Sequence, residues 1–445
     1  MMPSGARAFA FIVFAVAVAI VPVGCVQRRM PIAVGSVPDA AAGARQRSGS
    51  VVWADLDAAA FARARAEHRL VLIDGSAEWC HFCHVMDAVT YSDPEVRRIL
   101  AASFVTVRVD IDARPDFEER YHEWGWPATV LMTAEGAEIA RYKGFQPPAK
   151  FVELLRAAVA TPTPSPLASP TPATKASDDL ASIASWTEQT LDALWDARQG
   201  GWGGPQKLPL AWDNAWMLYR ARAVGPGRDE ARRRVLFTLD QQRKIVDPVW
   251  GGLCQYSTDG DWLHPHFEKL ISYQAGAIDN YAAAFALTGD AGWLKTARHV
   301  RSFVDRFMTS PDGAFYATMD ADLNAHDPGR PFLSGHEYYA KSDAARRALG
   351  IPRIDRHEYP RENGLVIAAY VTLGEASRDP SVIASAARAA SRILATHATS
   401  RGGLTHTAGG DPRVLYLADN AAFGLSLARL YEATGDRAYL DAAKR

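Results

Sequence analysis

The sequence predicts a multidomain chain, an α/β domain followed by an all-α array of stacked helical hairpins. A short apolar run that ends in an acid, Val71 to Asp74, reads as a buried strand leading into a Cys-x-x-Cys helix start. A stretch rich in Pro, Thr, Ser and Ala, Thr161 to Ser177, then breaks the pattern as an extended, semi-rigid spacer. From Asp178 onward the periodicity is that of amphipathic helices, and it repeats. QAGAIDNYAAAFALTGDAGWLKTA from Gln274, NGLVIAAYVTLGEASRDPSVIASA from Asn363 and NAAFGLSLARLYEATGDRAYLDAA from Asn420 align without gaps as carboxamide, apolar helix, turn and second helix. A weaker copy starts at Asn214. Such hairpins cannot bury their apolar faces alone and must stack on neighbours, which gives a toroid or a solenoid. The last hairpin is cut at Arg445 within its second helix, so a ring is expected to be incomplete or open.

These shifts divide the chain into residues 1–25, a signal peptide or membrane anchor; 26–50, a tether; 51–160, the α/β domain; 161–177, the spacer; and 178–445, the helical hairpins. A length of 445 residues with 48% hydrophobic content is enough for two cores. A net charge of -1 exerts no global pull on nucleic acid, which is not expected as a partner. Phe9 to Ile20 is apolar, follows Arg7 and leads to Gly24-Cys25, which fits a secretory signal whose cleavage leaves Cys25 as a lipidated N-terminus. Pro22 stands where a lipoprotein signal usually has Leu, so an uncleaved short anchor is the alternative. Either way the expected location is exported, at the periplasmic face or cell envelope, with the membrane as a partner of the N-terminus.

With four cysteines no disulfide framework stabilises the chain. Cys254 reads as a buried small hydrophobe, and Cys80 and Cys83, in CHFCH, read as a redox pair. A helix starting at Cys80 and continued by Asp87 to Leu100 puts Cys80 where unpaired backbone N–H groups favour a thiolate. Cys80 is then the nucleophile, and Cys83, one turn further in and better buried, resolves the mixed disulfide. Two other chemistries share the pattern. C-x-x-C-H is also a haem attachment motif, although that needs no acid upstream and no preceding strand. Cys80, His81, Cys83 and His84 are also zinc-type ligands, but adjacent positions on one turn diverge and no second Cys-x-x-Cys closes the site. An inert buried pair is the structural alternative, against which Trp79 and His81 argue. No metal and no cofactor is expected.

Ala77 to Cys80 (AEWC), Asp74 six residues before the first cysteine, and Trp126-Pro127 resemble a thioredoxin domain. More narrowly, CHFCHVM, VDIDARPD, GWPATV and DWLHPHFEK resemble the spermatogenesis-associated thioredoxin-domain protein family. That resemblance implies a thioredoxin-like domain joined to an α/α toroid of the six-hairpin glycosidase type, spanning most of residues 51 to 445. It also implies that Asp74 is a buried, unpaired carboxylate exchanging a proton with Cys83, and that Pro127 is a cis-proline facing the disulfide. Burial raises a carboxylate pKa toward neutrality, and a cis X-Pro bond turns backbone groups toward an extended substrate. The structural alternatives are a turn cap for Asp74 and the start of an edge strand for Pro127. Trp79, His81, His84 and Trp126 support the pair. His81 and Phe82 replace the Gly-Pro of thioredoxins, and an imidazolium beside Cys80 is expected to make the disulfide more oxidising. Two departures from the family pattern fall in the helical part: Tyr273 stands where an Asp is usual, and GGWGGPQKLP around Lys207 is rearranged.

Gly-aromatic loops at Gly200–Gly204, Trp250–Tyr256, Asp312–Tyr316 and Gly402–His406 are expected to gather at one end of the toroid around a cleft. Tyr256, Asp261, Trp262, His264, His266, Glu268 and Lys269 offer aromatic platforms, carboxylates and imidazoles suited to a carbohydrate ligand, with Asp320 and Asp322 as further carboxylates. The leading expectation is a thiol-disulfide oxidoreductase acting on protein or small-molecule disulfides and thiols, with the toroid docking substrates. A carbohydrate-active enzyme, epimerase-like or glycosidase-like, and a non-enzymatic scaffold are the alternatives.

Overall fold

A computed structural model describes residues 51–122, 125–165, 179–327 and 329–445. Cys25, the signal or anchor, the tether and most of the spacer lie outside them. No helix among the described residues is long and apolar enough to cross a membrane.

The α/β part is a four-stranded sheet in the order β2-β1-β3-β4, with β1 at Leu70–Ser76, β2 at Phe104–Asp110, β3 at Ala128–Met132 and β4 at Glu138–Lys143. β2 runs parallel to β1, and β3 runs antiparallel to both β1 and β4. Strand alternation sorts the side chains into two layers. Val71, Ile73, Val105, Val107 and Val130 pack against α1 (Ala58–Ala66) and Phe117. Leu72, Phe104 and Leu131 meet Val96, Leu100, Phe151 and Leu155 on the other face.

The expected long helix from Cys80 to Leu100 is broken into pieces. α2 (His81–Val85) passes into a π-helical turn at Met86–Thr90, and a separate α3 (Pro94–Ser103) begins after Asp93. The cause is local. Pro94 has no N–H to donate to the preceding turn, and Asp93 Oδ1 accepts instead from the backbone N–H groups of Glu95 and Val96. α4 (Pro115–Tyr121) and α5 (Pro148–Ala160) complete this part.

Past α6 (Leu180–Leu194), the described residues form four αα-hairpins. They are α7 (Ala211–Arg222) with α8 (Arg228–Gln242), α9 (Ile271–Thr288) with α10 (Ala291–Phe307), α13 (Pro360–Ser377) with α14 (Pro380–His397), and α15 (Leu417–Thr434) with α16 (Arg437–Lys444). Two short helices, α11 (Gly335–Tyr339) and α12 (Asp343–Leu349), lie between the second and third hairpins. The first helices pack side by side in the order α7, α9, α13, α15, each carrying its partner, which makes the helical part toroid-like.

The carboxamide that opens each strong repeat has a defined task. Gln274, Asn363 and Asn420 each accept a hydrogen bond from one backbone N–H in the preceding Gly-aromatic loop, at Leu253, Phe315 and Leu404 respectively. Their amide nitrogens donate back to the carbonyls of the same three residues, and to the carbonyl four positions earlier in the chain, at Leu270, Tyr359 and Tyr416. One side chain thus closes a loop onto its own helix start. Asn214, in the weaker copy, bonds Gln242 instead.

Candidate functional site

Cys80 and Cys83 form a disulfide with their Cα atoms 5.2 Å apart. Cys80 is the N-cap of α2, and its Sγ accepts from the Cys83 N–H at 3.2 Å. Cys83 is not the deeper of the two, since Cys80 is 4% and Cys83 5% exposed. The cover comes from the helical part. The Phe82 ring lies 5.4 Å from that of His266, and the His81 N–H donates to Glu268 Oε1 at 3.3 Å.

Asp74 is buried, but it is paired. Tyr91 Oη donates to it at 3.1 Å and Arg108 Nε at 2.9 Å, while Arg108 also binds Asp87. The reason is register: Asp74 and Arg108 face each other across β1 and β2, so their side chains share one face of the sheet. Burial pushes the Asp74 carboxyl up to about 6, and the neighbouring Arg108 only partly opposes it. The Trp126-Pro127 bond is cis. Pro127 precedes β3, which is flanked by strands on both sides and is not an edge strand. The Trp126 ring packs 6.5 Å from Phe117, and buried Trp79 donates its Nε1–H to Asp112 at 2.7 Å.

The two histidines of CHFCH meet one carboxylate from the helical part. Asp322 Oδ2 lies 2.8 Å from His81 Nδ1 and 3.1 Å from His84 Nδ1. Its Oδ1 accepts from the Gly335 N–H at 2.8 Å, an approach that only glycine permits, because a Cβ there would come 2.6 Å from the Ala321 carbonyl oxygen. Burial works against both imidazoliums, yet the carboxylates win. His81 is raised by Asp322, and His84 is raised to about 9 by Asp320 and Asp322. Asp322 is held well below the usual carboxylate range, where the two histidines outweigh its burial.

The nine residues expected to line one open cleft separate. Trp262 is fully buried and donates to the Gln199 carbonyl, so it is core and not a platform. Lys269 is buried too, its Nζ donating to the Gly252 carbonyl at 2.9 Å and lying 3.0 Å from Cys254 Sγ. Cys254 is free and buried in the core as expected, with Lys269 as a polar neighbour. Asp261 and His264 pair with each other at 3.0 Å on a turn. Tyr256 stacks on His266 at 4.2 Å, and His266 lies 3.8 Å from Glu268. His266 and Glu268, from the segment before α9, and Asp320 and Asp322, from the segment between α10 and α13, converge on α2. Three further residues of this junction were not among the expected site residues. Arg353 binds the Glu78 carboxylate at 2.8 Å, His326 lies 3.3 Å from Asp320, and His406 bridges Asp419 and the Asp112 carbonyl. The one hint was repetition: His406 ends a Gly-aromatic loop.

Residues 44–156 match the family model described as "Protein of unknown function, DUF255". Human "Spermatogenesis-associated protein 20" is 26% identical over 372 residues, covering 74% of this chain and 47% of that protein. The chain thus spans about half the length of the curated relative it matches. "Thiol:disulfide interchange protein DsbD" of Ralstonia nicotianae is 34% identical over 137 residues, 30% of this chain and 22% of that one. Among solved structures, a D-mannose isomerase aligns over 60% of this chain and 67% of its own with 14% identity and a TM-score of 0.42. The chain therefore carries a thioredoxin-like DUF255 domain and, through it and the hairpins that follow, is homologous to Spermatogenesis-associated protein 20.

Proposed function

We propose that this protein is a thiol-disulfide oxidoreductase, exported or membrane-tethered, whose reacting groups are Cys80 and Cys83. The observation that carries the reading is the disulfide at the start of α2, directly after β1, with the histidine between its cysteines held by Asp322. In the reducing direction the Cys80 thiolate attacks a substrate disulfide, forming a mixed disulfide and releasing one substrate thiolate. The Cys83 thiolate then attacks the Cys80 sulfur, expelling the second substrate thiolate and leaving the Cys80–Cys83 bond. Two electrons pass from the dithiol to the substrate, and an external dithiol returns them. Reversing each step oxidises a substrate dithiol.

Asp74, whose carboxyl titrates at about 6, is suited to exchange the proton of the resolving thiol near neutral pH. Its hydrogen bonds run to Tyr91 and Arg108 and not to a cysteine. Pro127 shapes the substrate groove, and the helical part selects what reaches it. The test is turnover of insulin and glutathione disulfide. Cys80→Ser is expected to abolish both, and Cys83→Ala to trap mixed disulfides through Cys80. Turnover that survives in Cys80→Ser, or capture through Cys254, overturns the assignment.

A further inference from the structure

Four groups next to the disulfide converge without a centre of their own. His84 Nε2 and His326 Nε2 both point at the carbonyl oxygen of Glu78, at 2.9 and 2.8 Å, and their rings stand 4.9 Å apart at 90°. Asp320 Oδ2 lies 3.8 Å from the first nitrogen and 3.3 Å from the second. Asp320 is 2% exposed, and this oxygen accepts no hydrogen bond, while its Oδ1 accepts from the Asp322 N–H. A buried carboxylate oxygen left without a donor is costly, and a cation at its tip removes that cost.

We propose that His84, His326 and Asp320, with the Glu78 carbonyl as a fourth donor, hold one divalent first-row transition-metal ion, with zinc as the ion that fits best. The donor atoms of the three side chains all lie within 4.8 Å of one another. Bonds of about 2.0–2.1 Å at tetrahedral angles set donors roughly 3.3 Å apart, so His84 Nε2 must approach Asp320 from 3.8 Å while both imidazoles draw back from the Glu78 carbonyl, now 2.9 and 2.8 Å away, to admit the ion. Two imidazoles and a carboxylate without thiolate suit zinc or cobalt and are a poor match for magnesium or calcium, which take oxygen.

An independent feature points the same way. Asp322 Oδ2, 3.1 Å from His84 Nδ1, holds the proton of that nitrogen, while Nε2–H donates to the Glu78 carbonyl at 2.9 Å, so an ion binding at Nε2 displaces that second proton. A carboxylate behind a histidine is the usual support of a metal-binding imidazole. Asp322 is itself fixed by the Gly335 N–H. The set differs from Cys80, His81, Cys83 and His84, whose two sulfurs are taken up in the disulfide. Glu78 and His84 come from the thioredoxin-like part, and Asp320 and His326 from the helical part. The ion therefore staples the two together one residue away from Cys83.

The experiment uses the full chain with its disulfide intact, so that thiolates contribute nothing, after treatment with a chelator. Zinc is titrated by calorimetry and cobalt by its visible ligand-field absorption. The expected result is one ion per chain, with a rise in Tm on zinc addition. His326→Ala is expected to weaken both metals by about ten-fold or more and to remove the Tm rise. Asp320→Asn is expected to do the same, and His122→Ala, at an exposed histidine elsewhere, to leave both unchanged. His326 is exposed on a loop, so its variant reports even where the buried Asp320 variant does not fold. Binding below one equivalent, or binding equally tight in His326→Ala, overturns the proposal.

Discussion

At Asp74 two opposing effects meet in one side chain. Removal from water disfavours the carboxylate and the Arg108 guanidinium favours it, and with the group 1% exposed the first effect is the larger. The folded state therefore keeps the proton up to about 6, whereas the unfolded chain releases it near the ordinary 3.8. Between these values the folded state binds more protons, so this group's contribution to stability falls as pH rises and the penalty is complete above the folded pKa. Two pKa units correspond to about 3 kcal/mol, part of which Asn would forfeit by holding Arg108 less well. Asp74→Asn is accordingly expected to unfold at a higher temperature than the parent at pH 8, with the difference shrinking toward pH 4. Thermal melts across that range check it, and a difference independent of pH would contradict it. The sequence placed this acid six residues before Cys80, and burial was legible from the apolar run around it. Its partner was not, because the pairing with Arg108 depends on strand register.

Among the elements, the repeated hairpins owe their loop closure to a single carboxamide each. Asn363 is fully buried and satisfies the N–H and carbonyl of Phe315 together with the carbonyl of Tyr359. Removing it leaves buried backbone groups without partners, at about 1–3 kcal/mol apiece. Asn363→Ala is expected to lower Tm by several degrees, and Asn363→Asp, which keeps the acceptor and loses the donor, to fall between it and the parent. Calorimetric melts of the three proteins decide this; an alanine variant that melts with the parent would refute it. Here the sequence was informative, since a carboxamide opens each aligned repeat with a Gly-aromatic loop ahead of it, although the two stand 21, 48 and 16 residues apart. The broken helix after Cys80 shows the opposite case, where an apolar pattern ran on but Asp93-Pro94 imposed a boundary.

For the whole molecule, the two parts close over the disulfide. The seam is polar: the Ala321 N–H donates to the Trp79 carbonyl at 3.4 Å, Arg353 binds Glu78, and His406 reaches the Asp112 carbonyl at 2.8 Å. With Cys80 4% and Cys83 5% exposed, a bulky reagent is expected to reach them only where this seam opens. After reduction, Cys80 is expected to react much faster with a small alkylating reagent than with a bulky maleimide. His406→Ala, which strips Asp419 and Asp112 of a shared partner, is expected to narrow that gap. Mass-spectrometric labelling rates measure both, and equal rates with the two reagents in the parent protein would show that the seam does not guard the pair.

The sequence by itself determined the Cys-x-x-Cys motif, the strand before it and the stacked hairpins, because each is written in local spacing along the chain. Only the tertiary structure decided that residues expected to line a separate cleft would face CHFCH instead. His81 and Asp322 stand 241 positions apart, and no local pattern couples them. Their meeting is set by how the loops before α9 and between α10 and α13 pack against α2, where burying charge is tolerable only when each carboxylate finds a cation.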